Sequence, residues 1–459
     1  MNDCLANYIK NFSVDFGASA GAIRPLHGIN FGPWLLQGLF DASEQFRRLH
    51  IPSVRLHDCP WNMYNVVDMH NVFPLIHADP DDPRNYVFTP TDDYLMSVKN
   101  VGADMKYRLG ESAGGDCPKS HPDPRHIFCR EPADYEAWAE AALHIVKHYN
   151  DGWANGYRHG IKYWEIWNEP WANGPTGFWK GTPESFCRFY EIVAKKLKAY
   201  DPSLKIGAGL CGGSWNEKFS DKFLLFCKET NTPFDYHAWH QYGPHPAYVA
   251  RHARIVRSSM DRHGFTKAEL HMDEWGPHFQ QDFGYTVNMP IHGPVQIPRI
   301  QGMEGATMVA TTLCWLQDLP VDVGNYYWAG SGIWGLWDHW CRPTKIYDAF
   351  SAFVELYNMG QRVQAVGVEE ETGEGILAAM AEDKRSAAIL ISRFQGWRIA
   401  VNLCLEGLPA TEAVAEFYHL GDATYPNPIR TEKINGSSAT LQHNIVAPDV
   451  LLLKLRFPS

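Results

Sequence analysis

Nothing in these 459 residues approaches the roughly 18-residue apolar run of a membrane-crossing helix. Lys and Arg never cluster, and 41 basic against 52 acidic residues leave a net charge of −11. Nucleic acid and anionic membrane surfaces are therefore poor partners. Low-complexity linkers and internal repeats are absent too. The ten cysteines are scattered with no framework spacing, which suits free thiols in a reducing compartment. One local group, Cys117, His121, His126 and Cys129, has ligand types that suit zinc. The run between them is rich in Pro and Asp and matches no common zinc spacing, so neither a metal nor any other cofactor is expected. The first residues, MNDCLANYIKNFSVDF, lack the basic and apolar regions of a secretory leader, so a cytoplasmic protein is expected, or a secreted one if a leader has been removed.

What the chain does have is length and aromatic residues. A chain of this size buries a large core without staples. Aromatics make up 13% of it, with 17 Trp. Part of that number fills a core; the rest, set among His, Asn and acids, suits a pocket that stacks the flat faces of sugars and binds their hydroxyls.

The chain is organised around Lys162–Pro170, KYWEIWNEP. It begins as the aromatic and β-branched run of a buried strand and ends at a proline, which cannot continue a ladder. Glu169 stands just before the break, beside Asn168. Around it, strand-like and helix-like stretches alternate. Strand candidates are residues 25–31, 51–57, 103–109, 162–170, 204–210, 234–240, 268–274 and 321–327. Helical patterns fall after strand one, where Phe40, Phe46 and Leu49 share an apolar face, and at 132–148, 183–199, 217–229, 248–262, 301–316 and 345–357. Eight such alternations predict an α/β fold of the (β/α)8 TIM-barrel kind over residues 21–358. Beyond residue 358 short strands separated by turns replace the alternation, which predicts a C-terminal β-sandwich accessory domain over 359–459. Residues 1–20 are read as an added strand for it. Surface on such a domain makes a homo-oligomer the expectation.

In a barrel of this kind chemistry sits at the C-terminal strand ends. Strand seven ends in Asp273 and Glu274, followed by Trp275. A lone acid at a strand end is explained by capping of the following helix. Two, at the ends of strands four and seven and each beside a Trp, face one another across the barrel mouth. Retaining hydrolysis of a glycosidic bond needs such a pair about 5–5.5 Å apart. Glu169 is assigned as acid/base and Glu274 as nucleophile, and burial beside a negative neighbour is expected to raise the pKa of Glu169. Arg55 is the candidate to keep Glu274 ionised. His57, His240 and Tyr242 end strands two and six, with Tyr242 placed to donate to Glu274. Glu165 and Glu111 are candidate partners for Arg55 or for substrate. Trp275, Trp328, Trp334 and Trp337 are candidate stacking platforms.

WNEP on strand four with a Glu on strand seven resembles clan A of the retaining glycoside hydrolases. PLHGIN, SVRLH, HAWHQYG and the late IWGLWD and PTKIYDAFSAFVEL segments resemble family 39, which holds β-xylosidases and α-L-iduronidases. The segment MDEWGP departs from the usual Thr-Glu pattern at the nucleophile. The resemblance spans residues 21–360 and implies the same two glutamates in the same roles. It also implies that Asn168 bonds the sugar 2-hydroxyl and that His27 on strand one lies in the substrate site. A β-xyloside is the first substrate expected, as part of an oligosaccharide, polysaccharide or glycoside. Other pentosides or an iduronide come next, then a non-catalytic carbohydrate-binding barrel. A metal hydrolase using Asp273, Glu274, His240 and His57 is the remaining reading.

Overall fold

Eight parallel strands hydrogen-bond side by side and close into a barrel in this computed structural model, which describes residues 9–61, 64–75, 77–112, 131–171, 178–212, 217–279 and 293–458. In chain order the barrel strands are Gly28–Asn30, Ser53–Leu56, Asp104–Leu109, Tyr163–Ile166, Lys205–Gly212, Tyr236–Gly243, Glu269–Pro277 and Val323–Tyr326. Both faces of each strand are covered, so they read as near-continuous apolar runs. Charged residues that interrupt those runs must face inward to the barrel axis or pair with a neighbour. The outer layer is helical, with Tyr135–Asn150, Pro183–Tyr200, Glu217–Thr230, Ala247–Arg262, Met303–Leu316 and Lys345–Met359 as its longest members. Thr182 caps Pro183–Tyr200 through a reciprocal bond with Ser185, and Pro183 occupies the first helical position, where its missing N–H costs nothing.

The barrel is followed by a nine-stranded, mostly antiparallel sheet that forms the β-sandwich. The strand Ile9–Ala22 from the chain start lies inside it, antiparallel to Gln361–Val366 and parallel to Ile399–Glu406. Side-chain alternation gives this sheet two buried faces. Ile389, Ile391, Leu451 and Leu453 enter a core of the sandwich's own, with Phe12, Val14 and Phe417. Leu377, Leu390 and Leu452 turn the other way and join the barrel core. Two helices, Met303–Leu316 and Lys345–Met359, sit between barrel and sheet. The two units are thus held together by a continuous apolar layer, supplemented by the buried bond between Thr311 and Ser392.

Among the described residues no helix is long and apolar enough to cross a membrane, and the described cysteines are free thiols. Cys117, His121, His126 and Cys129 lie outside the described residues.

Candidate active site

Charged side chains on the inward face of the strands build a floor beneath the barrel mouth. Arg55 of strand two, wholly buried, spends every N–H it has. Its Nε and Nη2 grip both oxygens of Glu165 at 2.8 and 2.7 Å, and Nη2 also meets Asn168 Oδ1 at 2.9 Å. Nη1 meets Asn30 Oδ1 and Glu274 Oε2, each at 3.0 Å. Only a guanidinium fork serves five acceptors at once. Lys106 adds a second cation, 2.6 Å from Asp273 and 3.5 Å from Glu165. Burial alone would raise Glu165, yet Arg55 and Lys106 hold it well below the usual carboxylate range. Asp273 goes the other way, raised by burial and by the negative Glu165 beside it.

Consecutive residues of a strand normally point to opposite faces. Strand seven escapes that rule by one extra residue: Met272 pairs with Trp239 and Glu274 with His240, leaving Asp273 as the bulge. Asp273 and Glu274 therefore both reach Arg55, at 3.3 and 3.0 Å. Alternation resumes at once. Trp275 points outward, fully buried, with its ring edge-on to Tyr326 at 5.1 Å. The expected stacking platform is instead part of the barrel wall, because the bulge turned Glu274 inward.

Glu169 is placed by a different device. Trp167 and Glu169 both have left-handed backbones, with φ 68° and 44°. Such residues cost of order 1–3 kcal/mol each and persist where surroundings over-determine them. Here the Trp167 amide donates to Leu109 O at 2.7 Å, its indole N–H donates to Phe178 O at 2.6 Å, and its ring packs on Trp179 and Phe189. Gly110 permits this, since a Cβ there would lie 2.7 Å from the Trp167 ring. The turn swings Asn168 onto Arg55 and Glu169 over the mouth.

The two glutamates then converge on His240. A carboxylate oxygen of Glu169, one of Glu274 and a ring nitrogen of His240 all lie within 4.8 Å of one another. His240 Nδ1 is 2.5 Å from Glu169 Oε1 and 3.5 Å from Glu274 Oε2. Burial would lower the imidazole, but Glu274 and Glu169 outweigh it and raise its pKa to about 9. The Tyr242 hydroxyl donates to the other oxygen of Glu274 at 2.9 Å. Glu274 itself is pushed up to about 7 by burial, with Glu169 adding to the rise and His240 and Arg55 opposing it. Arg55 thus bonds Glu274 as expected, yet its pull does not overcome burial.

The remaining candidates divide. His57 lines the same mouth, 3.7 Å from Glu274. Trp334 does too, its ring 5.2 Å from Tyr242 and 5.8 Å from Tyr327, with its N–H held by Pro277 O. Trp328 packs on Phe31 and Tyr327, and Trp337 stacks on Phe46 in the core. His27 sits at the opposite end of strand one. Its Nε2 meets His50 O at 3.0 Å and its ring packs on Phe353 and Tyr357 of the last barrel helix, so the structure does not bring it to the mouth. Glu111 pairs with His70 at 2.5 Å, away from Arg55. Sequence inspection missed Asn30, Asp58, Lys106, Arg108 and Tyr327. Lys106 and Arg108 had a signal: two cations at i and i+2 in an otherwise buried strand must share the inward face. Glu169, His240 and Glu274 have the donor atoms for a metal, and a cation there would share Glu274 with Arg55, 3.0 Å away.

Residues 72–294 match the model of glycosyl hydrolases family 39. The chain is similar to that family. A curated β-xylosidase from Geobacillus stearothermophilus is 27% identical over 186 residues, covering 35% of this chain and 34% of that protein. The chain thus matches about a third of that relative's length. Among solved structures, a glucosidase from Croceicoccus marinus superposes with a TM-score of 0.79 at 20% identity, covering 99% of this chain and all of the other. A family 39 β-xylosidase from Caulobacter crescentus gives 0.68 at 17% identity, with 98% and 100% coverage. At these identities the likeness is one of fold, and it takes in both the barrel and the sandwich.

Proposed function

We propose that this chain is a retaining glycoside hydrolase that removes a terminal sugar by double displacement. The observation that carries the reading is the approach of Glu169 and Glu274 oxygens to within 4.8 Å. Retention calls for carboxyl groups about 5–5.5 Å apart, whereas inversion leaves about 6.5–9.5 Å for a water. Glu274, gripped by Arg55 and Tyr242, attacks the anomeric carbon. Glu169 protonates the leaving oxygen as the glycosyl–enzyme bond forms, then takes a proton from the water that breaks it. His240 Nδ1, 2.5 Å from Glu169 Oε1, fixes the orientation of the acid/base carboxyl. Asn168, its oxygen fixed on Arg55, is left with its NH2 for the sugar 2-hydroxyl.

A β-xyloside is the first substrate to try, on the strength of the family 39 match and the β-xylosidase relative; the glucosidase neighbour adds glucosides. A carbohydrate-binding barrel without turnover has no need for both carboxylates. The test is a panel of nitrophenyl glycosides, followed by Glu274→Ala with added azide or formate. The variant should lose turnover, regain it with the anion, and release the inverted glycosyl product. Equal turnover by the wild type and Glu274→Ala removes the assignment.

A further inference from the structure

Strand two is followed by His57 and Asp58, which form the wall of the mouth facing Glu274. Asp58 has a left-handed backbone, φ 52°, a conformation that Asp tolerates better than most residues. The turn throws its carboxylate inward, where Oδ2 accepts the Tyr327 hydroxyl at 2.9 Å and lies 3.3 Å from His57 Nε2.

The tautomer of His57 follows from its other nitrogen. Nδ1 lies 3.2 Å from Arg108 Nε, which can only donate, so Nδ1 accepts and the ring proton is on Nε2. Burial, followed by the nearby cations Arg55 and Arg108, keeps the ring neutral by holding its pKa well below the ordinary value. His57 Nε2–H, 3.3 Å from Asp58 and 3.7 Å from Glu274, is therefore a fixed donor at the mouth.

Asp58 is not built as a structural ion pair. Arg108 is adjacent, yet it spends Nη2 on Asp68 and Ser112 and Nε on His57. Among the described residues its Nη1 finds no partner at all. Among the described residues no cation bonds Asp58 directly, and burial raises its pKa, with the Tyr327 hydroxyl and the Arg108 charge opposing the rise. Its side chain keeps 25% of its exposure, whereas Glu165 and Asp273 beneath keep none. A carboxylate placed so gains from hydroxyl donors and repels another anion.

We propose that Asp58 determines sugar specificity: with His57 Nε2–H it forms an acceptor–donor pair that takes ring hydroxyls of the sugar held against Glu274 and turns away sugars carrying a carboxylate there. This rests on the glycosidase reading above and narrows it to neutral sugars. It also argues against an iduronide as substrate.

The experiment compares wild type, Asp58→Ala and Asp58→Asn on the best neutral nitrophenyl glycoside of the panel, on its monodeoxy analogues, and in competition with the parent sugar and its uronic acid. Removing an acceptor that bonds a substrate hydroxyl should lower kcat/KM by about 10- to 100-fold in Asp58→Ala. On the analogue lacking that hydroxyl, wild type and Asp58→Ala should agree within about twofold, because the lost bond cannot be lost twice. Asp58→Asn keeps shape and the Tyr327 contact while removing charge, so it stays folded if the alanine does not. It should shift the ratio of inhibition constants at least about tenfold toward the uronic acid. A folded Asp58→Ala within twofold of wild type, an unchanged inhibition ratio in Asp58→Asn, or a wild type indifferent to every deoxy position each overturns the inference while leaving the glycosidase intact. A wild type that turns over no glycoside of the panel overturns both.

Discussion

His240 and Glu169 are joined at 2.5 Å through Nδ1 and Oε1, and the same ring nitrogen stands 3.5 Å from Glu274. One buried imidazole thus lies between both carboxylates of the proposed displacement. Those two acids favour its charged form, although burial favours the neutral ring.

That arrangement has a pH signature. The folded-state pKa of His240, about 9, stands above its ordinary 6.5. Its contribution to stability is therefore complete below pH 6.5 and lost as pH rises through 9. A shift of this size corresponds to roughly 3 kcal/mol. Glu274, raised to about 7, acts with the same sign: it is relatively favourable at low pH and becomes unfavourable as pH rises through 7. Thermal melts of wild type and His240→Asn from pH 6 to 10 should show the advantage of the wild type shrinking across this window. A difference that stays flat, or grows, would contradict the placement of the proton.

Arg55 should be the costliest single loss in the barrel. Replacing it with Met of similar length leaves Glu165, Asp273 and Glu274 buried around one fewer cation, and breaking such a pair costs about 3–5 kcal/mol. Arg55→Lys keeps the charge but not the fork, so it should fall between the two and should also raise KM through a misplaced Asn168. Urea unfolding measures the first effect and steady-state kinetics the second. A loss under about 1 kcal/mol for Arg55→Met would mean the floor is held by something else.

How much of this was legible beforehand depends on what each feature requires. The barrel was readable because buried parallel strands are dense in β-branched and aromatic residues, and because helical patterns alternate with them along the chain. The sandwich was readable from the shift to short strands after residue 358. Glu169 and Glu274 could be picked out as acids that close such strands. Three-dimensional register was not legible. The bulge at Asp273 changes which residue faces inward, so Trp275 reads as a wall of the mouth until strand seven is laid against strand six. His27 misleads for a related reason: it precedes Gly28–Asn30, the short first strand, and so lies below the barrel rather than above it. Asp58 and Tyr327 come from different ends of the chain and meet only once the barrel closes.

Tyr242 offers a subtler test of the nucleophile. Its hydroxyl stabilises the charged form of Glu274 from the side opposite Arg55. Tyr242→Phe should raise the Glu274 pKa further, moving the acid limb of the kcat/KM profile to higher pH. Losing a hydrogen bond to a charged group also predicts a fall of about tenfold or more near neutral pH. A variant with the wild-type acid limb would mean that Glu274 is not the group titrating in that limb.

His27 makes the opposite prediction, stability without chemistry. It is wholly buried between His50, Phe353 and Tyr357, and burial, the largest influence on it, lowers its pKa to about 4. The unfolded chain therefore takes up a proton near pH 6.5 that the folded chain refuses until about pH 4. Stability associated with the neutral ring is present above pH 6.5 and drains away as pH falls toward 4, by roughly 3 kcal/mol at most. His27→Gln cannot charge, so its melting temperature should fall less steeply than that of the wild type between pH 6.5 and 4, even if it starts lower for loss of ring packing. Its kcat and KM at neutral pH should stay within about twofold of wild type, because the ring packs on His50, Phe353 and Tyr357 at the opposite end of strand one from the mouth. A large rise in KM with an unchanged melt would place His27 in the sugar site after all and would require strand one to lie differently in the barrel.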